Sequence, residues 1–408
     1  MSLVAKNKIP MYYAVFILMA LIPQILGFNG SSLGDVWKMI CILWLFFILS
    51  TRSEGKFSYT GMFYLIFFLL INVVCLLADS NVSLNTVINF GISIFLVYLF
   101  FESPIREHNI CENDVLRFFR YFAIFMLISC VYNMLVNIRQ LLNIASISVY
   151  SSDATASFFD NKNTFGVFLI FGAISATFLK VVDGNNKWLI VLVIFIINEV
   201  MAMCRTAIIL TIFFLAVSFL VGDKKTLKKR IFALVVLIIG AAVLYYFISP
   251  IRNFVNNNLF GNTDSLDTRD GYIERMLPLS KGIYLLFGYG EERSVELAIQ
   301  YAGNRYYHNT YLHLLMIGGL FRVLLFAITI LYAVINSIKL YKLNRKTGSM
   351  CIVTIFAYLI YASIESVILF DTPVIAILAT IFVVSIPRLF LNAVLKKKRD
   401  KENGLCCP

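Results

Sequence analysis

Few side chains in this chain could do chemistry, and each stands at the edge of an apolar run or inside one. His308 lies in Tyr306-Tyr307-His308-Asn309, where a long apolar stretch begins. Imidazole is well suited to accept a proton near neutral pH, so a hydroxyl brought to it could be activated for attack. The plain alternative is a surface histidine. His108, in a polar connection, and His313, one turn further into the apolar stretch, are less well placed. Arg205 separates two apolar runs in Cys204-Arg205-Thr206-Ala207. A guanidinium stays charged and its fork of donors matches phosphate oxygens, so an anion site is one reading. An anchor whose head snorkels to the membrane surface is the other. Arg322 falls about 14 residues into its run. A cation there is unfavourable unless it is paired or lines a wet cavity. Glu199, Glu365 and Asp371 are the acids available as counterparts. No Walker, GxGxxG, CxxC or HExxH pattern occurs, so neither a metal site nor ATP-driven transport by this chain alone is expected.

The elements that must position these groups are membrane spans. Of 408 residues, 60% are hydrophobic and 14% charged, with a mean hydropathy of +0.83. Soluble domains carry about a quarter charged residues. The expected fold is an all-α polytopic membrane protein forming a single integral membrane domain over 1–408. Twelve runs are long enough to cross a hydrocarbon core: 11–28, 34–50, 59–77, 84–101, 116–138, 164–182, 187–204, 206–222, 230–249, 309–335, 350–369 and 374–395. Met11–Phe28 reads as a retained span, because no small-x-small cleavage site follows it. The almost loop-free junction at Cys204-Arg205-Thr206 implies a tight helical hairpin. The eight cysteines have neither metal spacing nor a shared outer loop.

Charge sets the expected orientation. With both termini cytoplasmic, the inner segments hold 24 of the 35 Lys and Arg residues, and the short outer loops 29–33, 78–83 and 370–373 hold none. The net charge of +12 is then mostly positive-inside bias, and the basic runs 224–230 and 396–399 are topology signals rather than a nucleic-acid surface. Nine cations remain on the outer side against this trend: Arg139, Lys162, Arg205 and six in the loop 250–308. An anionic, lipid-linked substrate would need such cations, although long loops also escape the bias.

Two outer loops are long. The first, 139–163, is Ser-rich and ends Asp160-Asn161-Lys162-Asn163-Thr164-Phe165-Gly166, where Asp160 or Asn163 could cap the next helix. The second, 250–308, is expected to hold short helices broken at Pro278, a turn at Gly288-Tyr289-Gly290 and another helix over 291–301. Tyr272, Met276 and Leu279 recur at helical spacing, a pattern that fits a helix lying at the membrane interface.

Taken in order, these outer features resemble one family. Cys204-Arg205-Thr206-Ala207 is similar to the S-R-T-A turn of the O-antigen ligase and polysaccharide polymerase superfamily, with Cys204 in place of serine. Asn163-Thr164-Phe165-Gly166 resembles its N-x-F-G span start. Thr268-Arg269-Asp270-Gly271 resembles its long-loop arginine, Gly288-Tyr289-Gly290 its G-x-G turn, and His308-Asn309 with Gly318-Gly319 its H-N…G signature. The ligase continuation G-x-x-G-T-T is absent, since Leu320-Phe321-Arg322 follows Gly319, and this favours the polymerase branch.

The resemblance implies a GT-C-like glycosyltransferase of about twelve spans with a long helical outer loop. It would join undecaprenyl-pyrophosphate-linked repeat units at the outer face of the bacterial plasma membrane. Arg205 and Arg269, with Arg275 in support, would meet the charge of the pyrophosphate leaving group. His308 would be the base and Glu365 would orient or assist it. Asp160, Asn163, Asn309 and Arg322 would complete the substrate site. The lipid-linked donor carries its own leaving group, so no cofactor or metal is required. Membrane lipid is a partner, and a chain-length regulator and flippase of the same pathway are candidate partners. The competing readings are an O-antigen-type ligase passing finished glycan to a lipid A-core or other acceptor, and a flippase or transporter. The last predicts charges deep in many spans, whereas here only Arg322 is deep.

Overall fold

The structure is a computed structural model. It describes residues 59–78, 112–143, 154–221, 224–256 and 271–369, with isolated positions within 33–44 and 375–398. The described residues are helical, with no strand among them. In chain order the helices are α1 (Tyr59–Ala78), α2 (Glu112–Val136), α3 (Ile138–Leu142), α4 (Lys162–Asp183), α5 (Lys187–Ala202), α6 (Arg205–Leu220), α7 (Lys224–Phe247) and α8 (Ser249–Val255). Then follow α9 (Ile283–Phe287), α10 (Glu291–Ala302), α11 (Thr310–Leu343) and α12 (Arg345–Ile364). Five of the described helices are long and apolar enough to cross a membrane. Expected spans 59–77, 116–138, 164–182, 187–204, 206–222, 230–249, 309–335 and 350–369 coincide with helices, whereas 11–28, 34–50, 84–101 and 374–395 lie largely outside the described residues. This is a multi-pass, all-α membrane protein.

The chain forms two compact units. The first comprises Met1–Trp44, Glu112–Thr263 and Ile338–Ala357. Its centre is α4, which packs on α2, α5 and α6. Phe165, Phe168 and Phe178 of α4 are buried, and Phe159, from the loop before it, stacks on Phe165 at 5.4 Å. At Gly172 an added Cβ would sit 3.0 Å from Phe195, so the missing side chain admits that ring. One polar network crosses this apolar interior. Asn133 of α2 donates to Thr155 Oγ1 and to Asn198 Oδ1, both at 2.9 Å, and accepts from the Ser157 N–H at 3.1 Å. It thereby pins the end of the 139–163 loop to α2 and α5. Arg120 pairs with Asp183 at 2.9 Å at the other end of α2 and α4. The apolar face of α7 is exposed, as hydrocarbon requires: Phe232 is 70% exposed and Phe247 78%.

The second unit comprises Leu45–Cys111, Asp264–Ser337 and Tyr358–Pro408. Its 250–308 loop has a core of its own. Tyr272 and Met276 are buried with Leu297, Ala298, Tyr307, Leu312 and Met316, and Leu279 packs against them. The stripe expected to lie on the membrane interface therefore faces protein, because α10 and the start of α11 offer it an apolar surface. Burial pushes the Tyr272 phenol up to about 12, and its hydroxyl donates to the Asn304 carbonyl at 3.0 Å. Burial likewise raises the Tyr307 phenol, which donates to the Ser294 carbonyl at 2.6 Å. The helix expected over 291–301 is α10.

Two boundaries differ from the sequence expectation. The inner connection expected over 336–349 shrinks to Asn344, since α11 runs to Leu343 and α12 opens at Arg345. Gly348 permits this: a Cβ there would lie 2.3 Å from the Tyr341 backbone nitrogen. The expected span 350–369 stops being helical at Ile364, and 365–369 is irregular. Such backbone inside a membrane protein must find partners in the protein. Thr310 supplies them, donating through Oγ1 to the Glu365 carbonyl and accepting from the Val367 N–H, both at 2.8 Å. The Tyr358 hydroxyl donates to the Val367 carbonyl at 2.7 Å.

Candidate functional site

The chemistry-bearing group with the most developed surroundings is His308. Asn309 caps α11, its Oδ1 accepting from the Leu312 N–H at 2.9 Å, while its Nδ2 donates to the Ser363 carbonyl at 3.2 Å. Both ends of that amide are thus engaged in the fold. His308 precedes this cap with φ of 47°, a left-handed conformation that a side-chain-bearing residue adopts at a cost of about 1–3 kcal/mol. The strained turn directs the imidazole to Glu365, with Nδ1 3.1 Å from Oε2. An ionised carboxylate can only accept, so Nδ1 is the donor, and in the neutral ring Nε2 is then the accepting nitrogen. The Asn304 amide donates to Nε2 from 3.4 Å, a long contact that a substrate hydroxyl could replace. His308 and Glu365 side chains are 33% and 29% exposed, so the pair is reachable. Tyr306 lies beside it, with ring centroids 6.4 Å apart. A base oriented from behind by a carboxylate is the arrangement that general-base catalysis uses.

The second histidine of this region is structural. His313 Nδ1 meets Ser366 Oγ at 2.5 Å, and the ring stacks on Tyr307 at 4.4 Å. It holds the segment that carries Glu365. The structure brings together His308 and Glu365, both singled out in the sequence, and adds Asn304, Thr310 and Ser366, which were not. The Asn304–His308 spacing was the only available sign of the first; the other two depend on where 365–369 leaves its helix.

The glycine motifs explain one another. α11 breaks at Gly319, whose φ is 63° and ψ −163°. Carbonyls just before a break lose their helical donors. The Gly288-Tyr289-Gly290 turn provides replacements: the Tyr289 N–H donates to the Met316 carbonyl at 2.7 Å and the Gly290 N–H to the Ile317 carbonyl at 3.0 Å. Backbones meet directly here. A Cβ on Gly288 would be 2.4 Å from Ile317 C, and one on Gly319 would be 2.2 Å from the Leu286 carbonyl. The loop is therefore clamped to the helix that His308 precedes.

Arg205 stands in the first unit as the opening residue of α6. The expected hairpin is present, turned by Met203 at φ 48° and an extended Cys204 whose side chain makes no cap. A cation at a helix N-terminus opposes the helix dipole. The Arg205 guanidinium and the first N–H groups of α6 both favour an anion. The N-x-F-G and C-R-T-A motifs are two sides of one contact: a Cβ on Gly166 would lie 2.4 Å from Cys204 Sγ and 3.6 Å from Ala207. The cap of α4 is Asn161, which accepts from the Thr164 N–H at 2.8 Å, rather than Asp160 or Asn163. Asn163 is exposed on the first turn, and Asp160 is half-buried.

Arg275 is exposed on the turn that buries Tyr272 and Met276. Arg269 and Asp371 lie outside the described residues. Arg322 donates to Asn72 Oδ1 at 3.1 Å, and among the described residues no acid pairs with it. Gly318 makes room for its stem, since a Cβ there would be 2.6 Å from Arg322 Cδ. With Phe68, Leu314 and Thr329 it lines a small cavity. Of the described acids, Glu365 faces His308, and Glu199, buried in the hairpin, accepts from Thr211 at 2.6 Å.

The described fold is that of a multi-pass helical membrane protein, in which a carboxylate holds an imidazole just before one helix and an arginine opens another. Residues 190–327 match the family model described as O-antigen ligase. The matched stretch includes Arg205, the 250–308 loop, His308 and Arg322, and excludes Asp160, Asn163 and Glu365. That stretch, 138 of the 408 residues, is similar to the O-antigen ligase family. The match does not separate ligase from polymerase. No curated protein matches the chain.

Proposed function

We propose that the protein is a polysaccharide polymerase. It transfers a growing glycan from undecaprenyl pyrophosphate to a sugar hydroxyl of an incoming lipid-linked repeat unit, at the outer face of the plasma membrane. The observation that carries this reading is the His308–Glu365 pair at 3.1 Å, with Nε2 left as the accepting nitrogen. The acceptor hydroxyl gives its proton to Nε2 as its oxygen bonds to the anomeric carbon. The bond from that carbon to the pyrophosphate breaks, and its electrons leave with the lipid pyrophosphate. Glu365 stabilises the imidazolium so formed. Negative charge grows on the leaving group, and fixed cations meet it. That role is assigned to Arg205 and Arg269, with Arg275 in support. The lean to polymerase over ligase rests on Leu320-Phe321-Arg322 after Gly319.

The test uses the purified full-length protein in lipid nanodiscs with the source cell's lipid-linked repeat unit as sole substrate. A ladder of products is expected. Reaction only after a second, non-lipid-pyrophosphate acceptor is added would make it a ligase, and transport of the lipid-linked unit without bond formation would sink the enzyme reading. His308→Ala, Arg205→Ala and Arg269→Ala should each abolish the ladder at unchanged protein level. Normal chain lengths in any one would remove that residue from the mechanism.

A further inference from the structure

The 250–308 loop carries a group of tyrosines that the proposed reaction does not use. Tyr284 of α9 and Tyr289 of the glycine turn stack with ring centroids 4.2 Å apart and planes 9° apart. Tyr289 is fixed, its hydroxyl donating to the Leu279 carbonyl at 2.7 Å and its N–H to the Met316 carbonyl at 2.7 Å. It therefore holds Tyr284 flat. Tyr284 remains 41% exposed although one face is covered. Arg293 lies in the first turn of α10, four residues after Tyr289, and Tyr301, further along the same helix, is 45% exposed. Arg293 pairs with Glu296 at 2.7 Å, and both are well exposed.

Flat, exposed aromatic rings with a charged hydrogen-bonding pair beside them suit one ligand chemistry. A pyranose presents a face of C–H groups that stacks on an aromatic ring and a rim of hydroxyls that bonds to guanidinium and carboxylate. Membrane-edge tyrosines also sit at exposed positions, but α10 opens with Glu291, Glu292 and Arg293 and continues to Glu296, a polar surface that belongs in water. We infer that Tyr284, set by Tyr289, together with the exposed Tyr301, Arg293 and Glu296 of α10, forms a second glycan-binding surface that holds sugars remote from the reacting bond. This rests on the glycosyl-transfer reading above. Such a surface favours long glycans over single repeats, because only a long chain reaches both places at once.

The experiment compares two donor fractions prepared from the source cells, lipid-linked single repeats and lipid-linked long chains, with the full-length protein in nanodiscs. The quantity read is the ratio of kcat/KM for the long fraction to that for the single repeat. In a Tyr284→Leu, Tyr301→Leu double variant the ratio should fall roughly 3- to 10-fold, the size of lost ring stacking. Tyr284→Phe keeps the ring and should keep the ratio. An unchanged ratio in the double variant, or an equal fall in Tyr284→Phe, overturns the inference. If the wild-type protein transfers neither fraction, the glycosyl-transfer reading fails by itself. The surface is then judged on binding of lipid-free long glycan from the same cells: weaker binding by the double variant upholds it, and equal binding overturns it.

Discussion

At the scale of single residues, the two nitrogens of His308 face different partners, and this gives Glu365 a separable role. On the mechanism proposed above, its carboxylate fixes which nitrogen accepts, and it would act through His308 without holding substrate. Glu365→Gln should lower kcat on the order of 10²-fold or more, the usual weight of a general base. KM for the lipid-linked donor should stay nearly unchanged. A matched rise in KM would instead make Glu365 a substrate contact. His308 and Arg205 were legible in the sequence because their residue types are scarce in apolar surroundings. Asn304 and Thr310 were not, because an amide or hydroxyl in a sequence does not say which backbone group it will satisfy. Arg322 was legible as an anomaly, but its partner, Asn72, lies 250 residues away in the chain and could not be read.

At the scale of elements, the glycines at 288 and 319 form one joint. Each lies at positive φ and each touches the other segment's backbone. Gly319→Ala should therefore be destabilising by about 1–3 kcal/mol from backbone strain, with further loss from the contact at 2.2 Å to Leu286. The expected outcome is a lower Tm of the purified protein and a matching loss of product, with Gly288→Ala behaving alike. A Gly319→Ala protein with wild-type Tm would show that the backbones need not meet. The sequence showed a G-x-G turn and a G-G pair as separate motifs. That they dock, and that α11 breaks where they do, follows from non-local hydrogen bonding that no local pattern encodes. The same holds for the early end of α12 at Ile364, where Thr310 takes over the backbone's hydrogen bonds.

At the scale of the whole molecule, a cell lacking the protein offers the cleanest division between the two branches. Loss of a polymerase should leave single repeat units on the final acceptor, whereas loss of a ligase should leave no glycan there. The polymerase reading expects the first, seen as collapse of a polysaccharide ladder to its lowest band. By itself, the sequence determined that the chain is a helical membrane protein, where most of its described helices run and which motifs could carry chemistry. It could do so because lipid tolerates few backbone solutions and few charges, so composition and run length are strong constraints. Only the tertiary structure decided that Glu365 stands behind His308, that the 272–279 stripe faces protein and that the glycine motifs lock together. Those outcomes depend on which distant surfaces come into contact, and contact between distant segments is set by packing and unsatisfied hydrogen bonds across the fold rather than by any local run of residues.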